Sequence, residues 1–227
     1  MCCRKLGPDH DSEPEQHMKI DIGLTSDLQL VPERVRDLEA AGFDGVFTAE
    51  AARDVFAPLV LAGEHSDLFC YTNIALALPR SPMLLATTGW DLQRHTRGQL
   101  ALGLGSQIRP HIQKRYSAIW DRPVAQMREV VESIRAIHAC WSEGTALDYR
   151  GEFYTFTLMT PMFTPADCPW GPPPLWLAAL GPMMTRLAGE VSDGVLVHPF
   201  STRTFLDQVT LPHLAEGIRR SGRSDDD

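Results

Sequence analysis

A parallel α/β fold is predicted by three features of this sequence. Short apolar runs alternate with longer amphipathic stretches along the chain. Proline and glycine sit at the boundaries where helices start and stop, as at Ser81-Pro82 and Gly98. Polar or flexible residues follow the apolar runs directly: Glu50, Pro79-Arg80, Gly105-Ser106, Leu180-Gly181 and His198. Parallel strands joined by right-handed crossovers carry their functional groups at the C-terminal strand ends, so residues in that position are site candidates. The pattern fits either a doubly wound open sheet or a (β/α)8 barrel.

The elements follow in order. Lys19–Leu24 alternates, with Ile20, Ile22 and Leu24 on one side, and predicts a first strand. Leu30–Ala41 has Val31, Val35 and Leu38 at helical spacing and stops at Gly42, a natural C-cap. Phe43–Thr48 is the second strand, with Glu50 just beyond it, and a helix runs from about Val55 to Glu64. Thr72–Leu78 (TNIALAL) is the third strand. Ser81 as N-cap and Pro82 at the first helical position open the next helix, which carries Leu84, Leu85 and Leu92. Leu100–Leu104 is the fourth strand and leads into a glycine-flexed turn and a basic, histidine-bearing loop. Asp121 with Pro123 starts a helix with Met127, Val131, Ile134 and Trp141 on its apolar face, ending near Gly144.

Residues 145–172 form an insertion in which GEFYTFTL (Gly151–Leu158) is strand-like and Pro161, Pro165 and Pro169 keep the rest irregular. It is expected to pack over one end of the domain, as functional loops of this length do. Pro174–Ala179 is the fifth strand, and Gly181-Pro182 opens a helix through Glu190. Gly194–Val197 is the sixth strand. Thr202–Arg220 is a final helix with Phe205, Val209, Leu214 and Ile218. The polar residues 1–17 and the acidic residues 222–227 read as tails around one domain, 18–221.

Composition narrows the function. The chain has 227 residues, 44% apolar and 22% charged, with a net charge of -8. That balance is ordinary for a globular protein and argues against general nucleic-acid binding, which needs a basic surface. No run approaches the roughly 18 apolar residues of a membrane span, and residues 1–17 have no apolar signal region. The five cysteines include no C-x-x-C pair, and no His/Asp/Glu cluster has metal spacing, so no metal is expected and the thiols read as reduced in a cytoplasmic protein.

The candidate residues each allow two readings. Gly103 and Gly105 leave the backbone open to a flat or anionic ligand, or Gly105 simply makes a tight turn; the third glycine of a dinucleotide fingerprint is missing. Gly181-Pro182 exposes the positive end of a helix, which suits a phosphate or is a plain cap. Arg109 is an anion ligand or a solvated charge. Glu50 is a general acid, an acceptor for a ring N–H, or a partner for Arg53. His198 is a proton donor or a capped strand-end residue. His65, His95 and His138 read as structural. No G-x-S-x-G elbow is present.

From Met18 to His213 the chain resembles the luciferase-like flavin and deazaflavin oxidoreductases. It is most similar to the actinobacterial branch that uses coenzyme F420. The similar segments are AAGFDGVFTAEAARDVFAPL, NIALALPRSPMLLATTGWDLQ, LALGLGSQIRPHIQKRY, MREVVESIRAIHACW and GPMMTRLAGEVSDGVLVHPF. The resemblance implies a (β/α)8-type barrel with a cofactor across the strand ends. Ala49 and Glu50 then match the end of strand two beside the ring. Ala77 and Leu78 match the end of strand three, where the family has a strained peptide. Gly105 and Ser106 match ring- and ribityl-side contacts. Arg109, Gly181 and the peptides of Met183 and Met184 match the phosphate region. Gln107 stands where many relatives have a small residue.

The implied function is hydride transfer from reduced F420 to a small organic substrate, with Glu50 and His198 as candidate acids and the insertion shaping the substrate side. The alternative keeps the fold and uses FMN in a monooxygenase served by a separate reductase. A third reading is a non-catalytic remnant that pairs with another chain, and homo-oligomerisation stays open. The family's barrel has eight strands and about six βα units are legible here, so an incomplete, C-terminally truncated barrel is expected.

Overall fold

The computed structural model of the chain describes residues 18–24 and 27–223; the expected tail 1–17, and residues 224–227 of the expected tail 222–227, lie outside the described residues. The fold is the predicted barrel type, open rather than closed. Its main sheet runs β1 (Asp21–Gly23), β2 (Gly45–Thr48), β3 (Phe69–Thr72), β5 (Leu100–Gly105), β8 (Leu175–Ala179), β9 (Gly194–Val197), with β4 (Ala75–Leu76) beside β5 above β3. Every pairing in this sheet is parallel. The strands therefore occupy six positions around a half-barrel, and all their C-terminal ends meet on one rim.

Alternation along each strand sorts the core into two layers. Val46, Cys70, Leu100, Leu102, Leu104, Leu175 and Leu177 point outward and are buried against the helices. Phe47, Phe69, Tyr71 and Trp176 point inward, with ring centroids 5.2–6.2 Å apart. Small inward residues on neighbouring strands make room for them. A Cβ on Gly194 would lie 2.7 Å from Trp176 Cδ1.

The helices start and stop where local chemistry dictates. Helix α1 (Val31–Ala40) buries Val31, Val35 and Leu38 and ends at Gly42 with φ 85°. Helix α2 (Ala57–His65) is opened by Asp54, whose carboxylate accepts from Phe56 and Ala57 N–H at 2.8 and 2.7 Å. Helix α3 (Pro82–His95) has the predicted Ser81 cap, accepting from Met83 N–H at 3.3 Å. Helix α4 (Pro123–Glu143) ends at Gly144 with φ 70°, and α5 (Pro182–Val191) follows β8.

Three expectations are corrected. The third strand is Phe69–Thr72, not Thr72–Leu78; the chain breaks at a cis Asn73–Ile74 peptide before β4. Both apolar runs look like strands in sequence, and only the register with Gly45 and Leu100 chooses between them. The last helix is interrupted: α6 (Arg203–Phe205) widens into a π-turn at 206–210 before α7 (Leu211–Ser221). Pro212 has no N–H to return to the preceding turn, which accounts for the widening.

The insertion does not cover a barrel end. It wraps the outer face of α3 and α4. Its short hairpin, β6 (Tyr149–Arg150) and β7 (Thr155–Phe156), is held by Glu129 of α4, whose carboxylate accepts from the N–H groups of Glu152, Phe153 and Tyr154 at 2.7, 2.8 and 3.1 Å. Further on, Ala166 carbonyl accepts from Trp90 Nε1 at 3.1 Å, and the Trp170 ring fills the space beside Gly98.

Candidate functional site

The rim collects most of the predicted residues, and Glu50 stands just past the end of β2. Its carboxylate is 6% exposed. It accepts from Arg80 Nη1 at 2.7 Å and Nη2 at 2.9 Å, from Leu76 N–H at 2.8 Å and from the Tyr116 hydroxyl at 3.2 Å. Arg80, not Arg53, is the partner. Its Nη1 also donates to Leu76 carbonyl at 2.9 Å, and its guanidinium lies 5.5 Å from the Phe56 ring centre. Fork-to-fork geometry of this kind is the strong form of an ion pair. The arrangement straps the end of β2 to β4, to the start of α3 and to the turn after β5. With four donors on its two oxygens the carboxylate is an acceptor hub, and this geometry favours a positioning role for Glu50. Burial, followed by the Glu50 charge, holds the Tyr116 phenol above its usual range.

The glycines of β5 also do something other than expected. A Cβ on Gly103 would lie 1.8 Å from the Thr72 carbonyl oxygen, and one on Gly105 would lie 2.0 Å from Ile74 Cδ1. The open faces of both glycines are thus filled by the protein itself. Thr72 Oγ1 donates to Gly103 carbonyl at 2.6 Å, and Gly105 carbonyl accepts from Ala77 N–H at 2.9 Å. Together these contacts seat the cis peptide and the Ile74 side chain on β5 as a raised platform at the barrel mouth. Ala77 and Leu78, predicted as cofactor contacts, are 0% and 6% exposed within the core. The shift in β3 moves the strand end to Thr72–Ile74 and leaves them no ligand-facing surface.

After the platform come the polar groups. Ser106 is half-buried, and its hydroxyl donates to Gln107 carbonyl at 3.2 Å. Gln107 has φ 61°, and its own Oε1 accepts from Ile108 N–H at 3.0 Å, so a residue other than glycine holds the left-handed turn. Arg109 is exposed and donates to Gln113 Oε1 at 3.1 Å. Ala49 is exposed at the end of β2.

Beside β5, at the end of β8, Gly181 is the N-cap of α5 in extended conformation with no side-chain cap. Nothing lies within 4 Å of where its Cβ would be. The N–H groups of Met183 and Met184 belong to the first helical turn, which has no intrahelical acceptors. At the end of β9, His198 is exposed; its Nδ1 accepts from Phe200 N–H at 3.3 Å, which leaves the neutral ring's proton on Nε2. Ser201 Oγ, close by, is buried without a hydrogen-bond partner. The open N–H groups at the start of α5 suit an anionic group. Sequence reasoning missed Ile74, Tyr116 and Ser201. A polar Thr72-Asn73 step inside an apolar run was the one signal available for the first.

Below the rim, the Tyr71 hydroxyl is hydrogen-bonded to Asp21, and burial followed by that carboxylate pushes its phenol up. The cavities beside α4, about 470 and 510 Å3, lie on the outer helical layer and hold none of the predicted site residues. Among the described residues no group of three His, Cys, Asp or Glu side chains could hold a metal, and no helix is long and apolar enough to cross a membrane.

Comparison with known proteins adds the following. A sequence model described as luciferase-like monooxygenase matches residues 7–227. An uncharacterised protein of Mycobacterium tuberculosis is 48% identical over 209 residues, covering 92% of this chain and 62% of that protein. A 5,10-methylenetetrahydromethanopterin reductase of Archaeoglobus fulgidus is 28% identical over 214 residues, covering 92% of this chain and 61% of the reductase. Among solved structures, an F420-dependent secondary alcohol dehydrogenase in complex with an F420-acetone adduct superposes with a TM-score of 0.75 at 20% identity, covering 92% of this chain and 67% of that one. The chain thus spans about 62% of the length of the mycobacterial relative.

Proposed function

The chain belongs to the luciferase-like monooxygenase family, and from that premise we propose that its strand-end rim binds coenzyme F420 and serves the reduction of a small organic substrate. The observation that carries this reading is the platform of Thr72, Asn73 and Ile74 seated on Gly103 and Gly105, directly beside the uncapped start of α5. A flat apolar support next to open N–H groups suits a ligand with a flat ring at one end and a phosphate at the other.

Bound in reduced form, the coenzyme supplies a hydride from its central ring carbon. The protein's part is binding, orientation and a proton. Ile74 and Gly105, with Ser106 and Ala49 at the edges, face the ring side. Arg109 and the N–H groups of Met183 and Met184 hold the phosphate, and Gly181 leaves it room. Glu50 keeps β2, β4 and the turn after β5 in register through Arg80, Leu76 and Tyr116. His198 holds a proton on Nε2 for the product. The similarity to the methylenetetrahydromethanopterin reductase supports a reductive reading over an oxygenating one.

Titration of the purified chain with F420 and, separately, with FMN tests the reading, followed by absorbance and fluorescence change. Saturable binding of F420 with no response to FMN is the expected result. Binding of FMN alone overturns the cofactor assignment, and no response to either overturns the site.

A further inference from the structure

The residues that follow β8 and β9 form an apolar corner of the rim. In the parallel register Ala179 lies against Val197, which sets the next residues, Leu180 and His198, side by side. Leu180 is 54% exposed, and Phe200, two residues beyond His198, is 88% exposed. Phe200 is nevertheless held. Its N–H donates to His198 Nδ1 at 3.3 Å, the two rings lie 5.2 Å apart, and Ser201 N–H returns to His198 carbonyl at 2.9 Å. Large apolar side chains clustered in the open mark a surface that meets an apolar partner.

The corner is continuous with the platform. A Cβ on Gly105 would lie 3.5 Å from Ala178 Cβ, and one on Gly103 would lie 2.7 Å from Leu196 Cδ1. Apolar atoms therefore run from Ile74 across Ala178 and Leu196 towards Leu180 and Phe200. Free charge is missing from this side. Between Pro174 and Thr202 the charged side chains are Arg186, Glu190 and Asp193. Each is paired with a residue on a neighbouring helix: Glu216, Arg128 and Arg135. A charged or sugar-like molecule would give up water here for few partners, whereas a hydrocarbon gains by leaving water.

We propose that this corner is the substrate side of the site and selects a largely hydrocarbon molecule carrying one small carbonyl, with Leu180 and Phe200 as specificity-determining residues. The proposal rests on the F420 reading above. In that reduction the carbonyl carbon gains a hydride from the reduced coenzyme, and the oxygen gains a proton drawn from water by way of His198. The C=O π bond gives way to a C–H and an O–H bond, and the coenzyme is left oxidised by two electrons.

The test uses the full chain and a series of methyl ketones from 2-butanone to 2-decanone. Dissociation constants are measured by ligand-observed NMR, with and without F420, for the parent and for the double variant Leu180→Ser/Phe200→Ser. For the parent, affinity rises about two- to four-fold with each added methylene, as burial of half to all of its surface requires. The double variant loses most of that rise while its F420 affinity, titrated on the same sample, stays that of the parent. Both replaced side chains are exposed, and circular dichroism checks that the variant is folded. Equal affinity along the series with saturable F420 binding overturns the apolar substrate class and leaves the F420 reading standing. Failure of F420 to bind overturns that reading, and the proposal with it. A rise with chain length that the double variant keeps in full overturns the assignment to this corner. Sedimentation of the parent as a dimer that the double variant breaks apart overturns the proposal in favour of a second copy of the chain.

Discussion

Replacing Gly103 and Gly105 in turn by alanine separates the two jobs of the platform. At Gly103 the new Cβ meets a backbone oxygen, that of Thr72, at 1.8 Å. Neither β3 nor β5 can yield without disturbing the Thr72–Gly103 hydrogen bond of 2.6 Å. Overpacking of a tight site costs about 1–3 kcal/mol and a lost buried hydrogen bond about 1 kcal/mol more, so a loss of about 3 kcal/mol is expected. For a domain of this size that lowers Tm by about 6–12 °C.

At Gly105 the clash is with Ile74 Cδ1 at 2.0 Å, the end of a side chain that can turn. An off-rotamer isoleucine costs about 1 kcal/mol, which lowers Tm by about 2–4 °C. Ile74 must then leave its place, so Gly105→Ala weakens coenzyme binding by more than its small thermal shift suggests. Differential scanning calorimetry of the two variants, followed by F420 titration of each, reads both effects. A Gly103→Ala variant that melts within about 1 °C of the parent would refute the close-packing argument. So would equal thermal losses in the two variants.

Two further outcomes are expected. Gly181→Asp places a carboxylate at the uncapped start of α5, where there is open space and an ordinary φ of -88°; stability rises by about 0.5–1 kcal/mol while F420 affinity falls at least about tenfold, because cap and phosphate compete for the same N–H groups. Thermal melts and titration on one sample would show the two effects moving in opposite directions, and a variant that binds as tightly as the parent counts against the phosphate assignment. His138 is packed between Trp90 and Trp141 and contacts Ala86 carbonyl at 3.2 Å; burial lowers its pKa to about 4. The unfolded chain takes up this proton near 6.5 and the folded chain near 4, so the contribution is complete above pH 6.5 and is lost as pH falls towards 4, on the order of 3 kcal/mol in all. Urea denaturation across that window should show a shallower slope for His138→Gln, and an unchanged slope would mean another group carries it.

The site was partly legible because its residue types were legible. Glu50, Gly105, Ser106, Gly181 and His198 all lie on or next to the rim, as strand-end residues should. Their partners were not. Glu50 has Arg53 three residues away and pairs instead with Arg80, 30 residues on, and with Tyr116, 66 residues on. The insertion looked like a lid because it is long and proline-rich, yet Glu129 and Trp90 draw it onto the helices. Ala77 and Leu78 were misplaced by one choice, which of two adjacent apolar runs forms β3.

By itself the sequence determined the alternation of strands and helices and most helix ends. Ser81-Pro82, Gly42, Gly98 and Gly144 act through bonds and dihedrals within a few residues, so their effect is the same whatever surrounds them. Only the tertiary structure decided what the glycines of β5 are for and which cation meets Glu50. Those outcomes depend on the register of β2, β3 and β5, which joins groups some 30 residues apart. Parallel register is set by the summed packing of both sheet faces, and no local stretch of the chain carries that information.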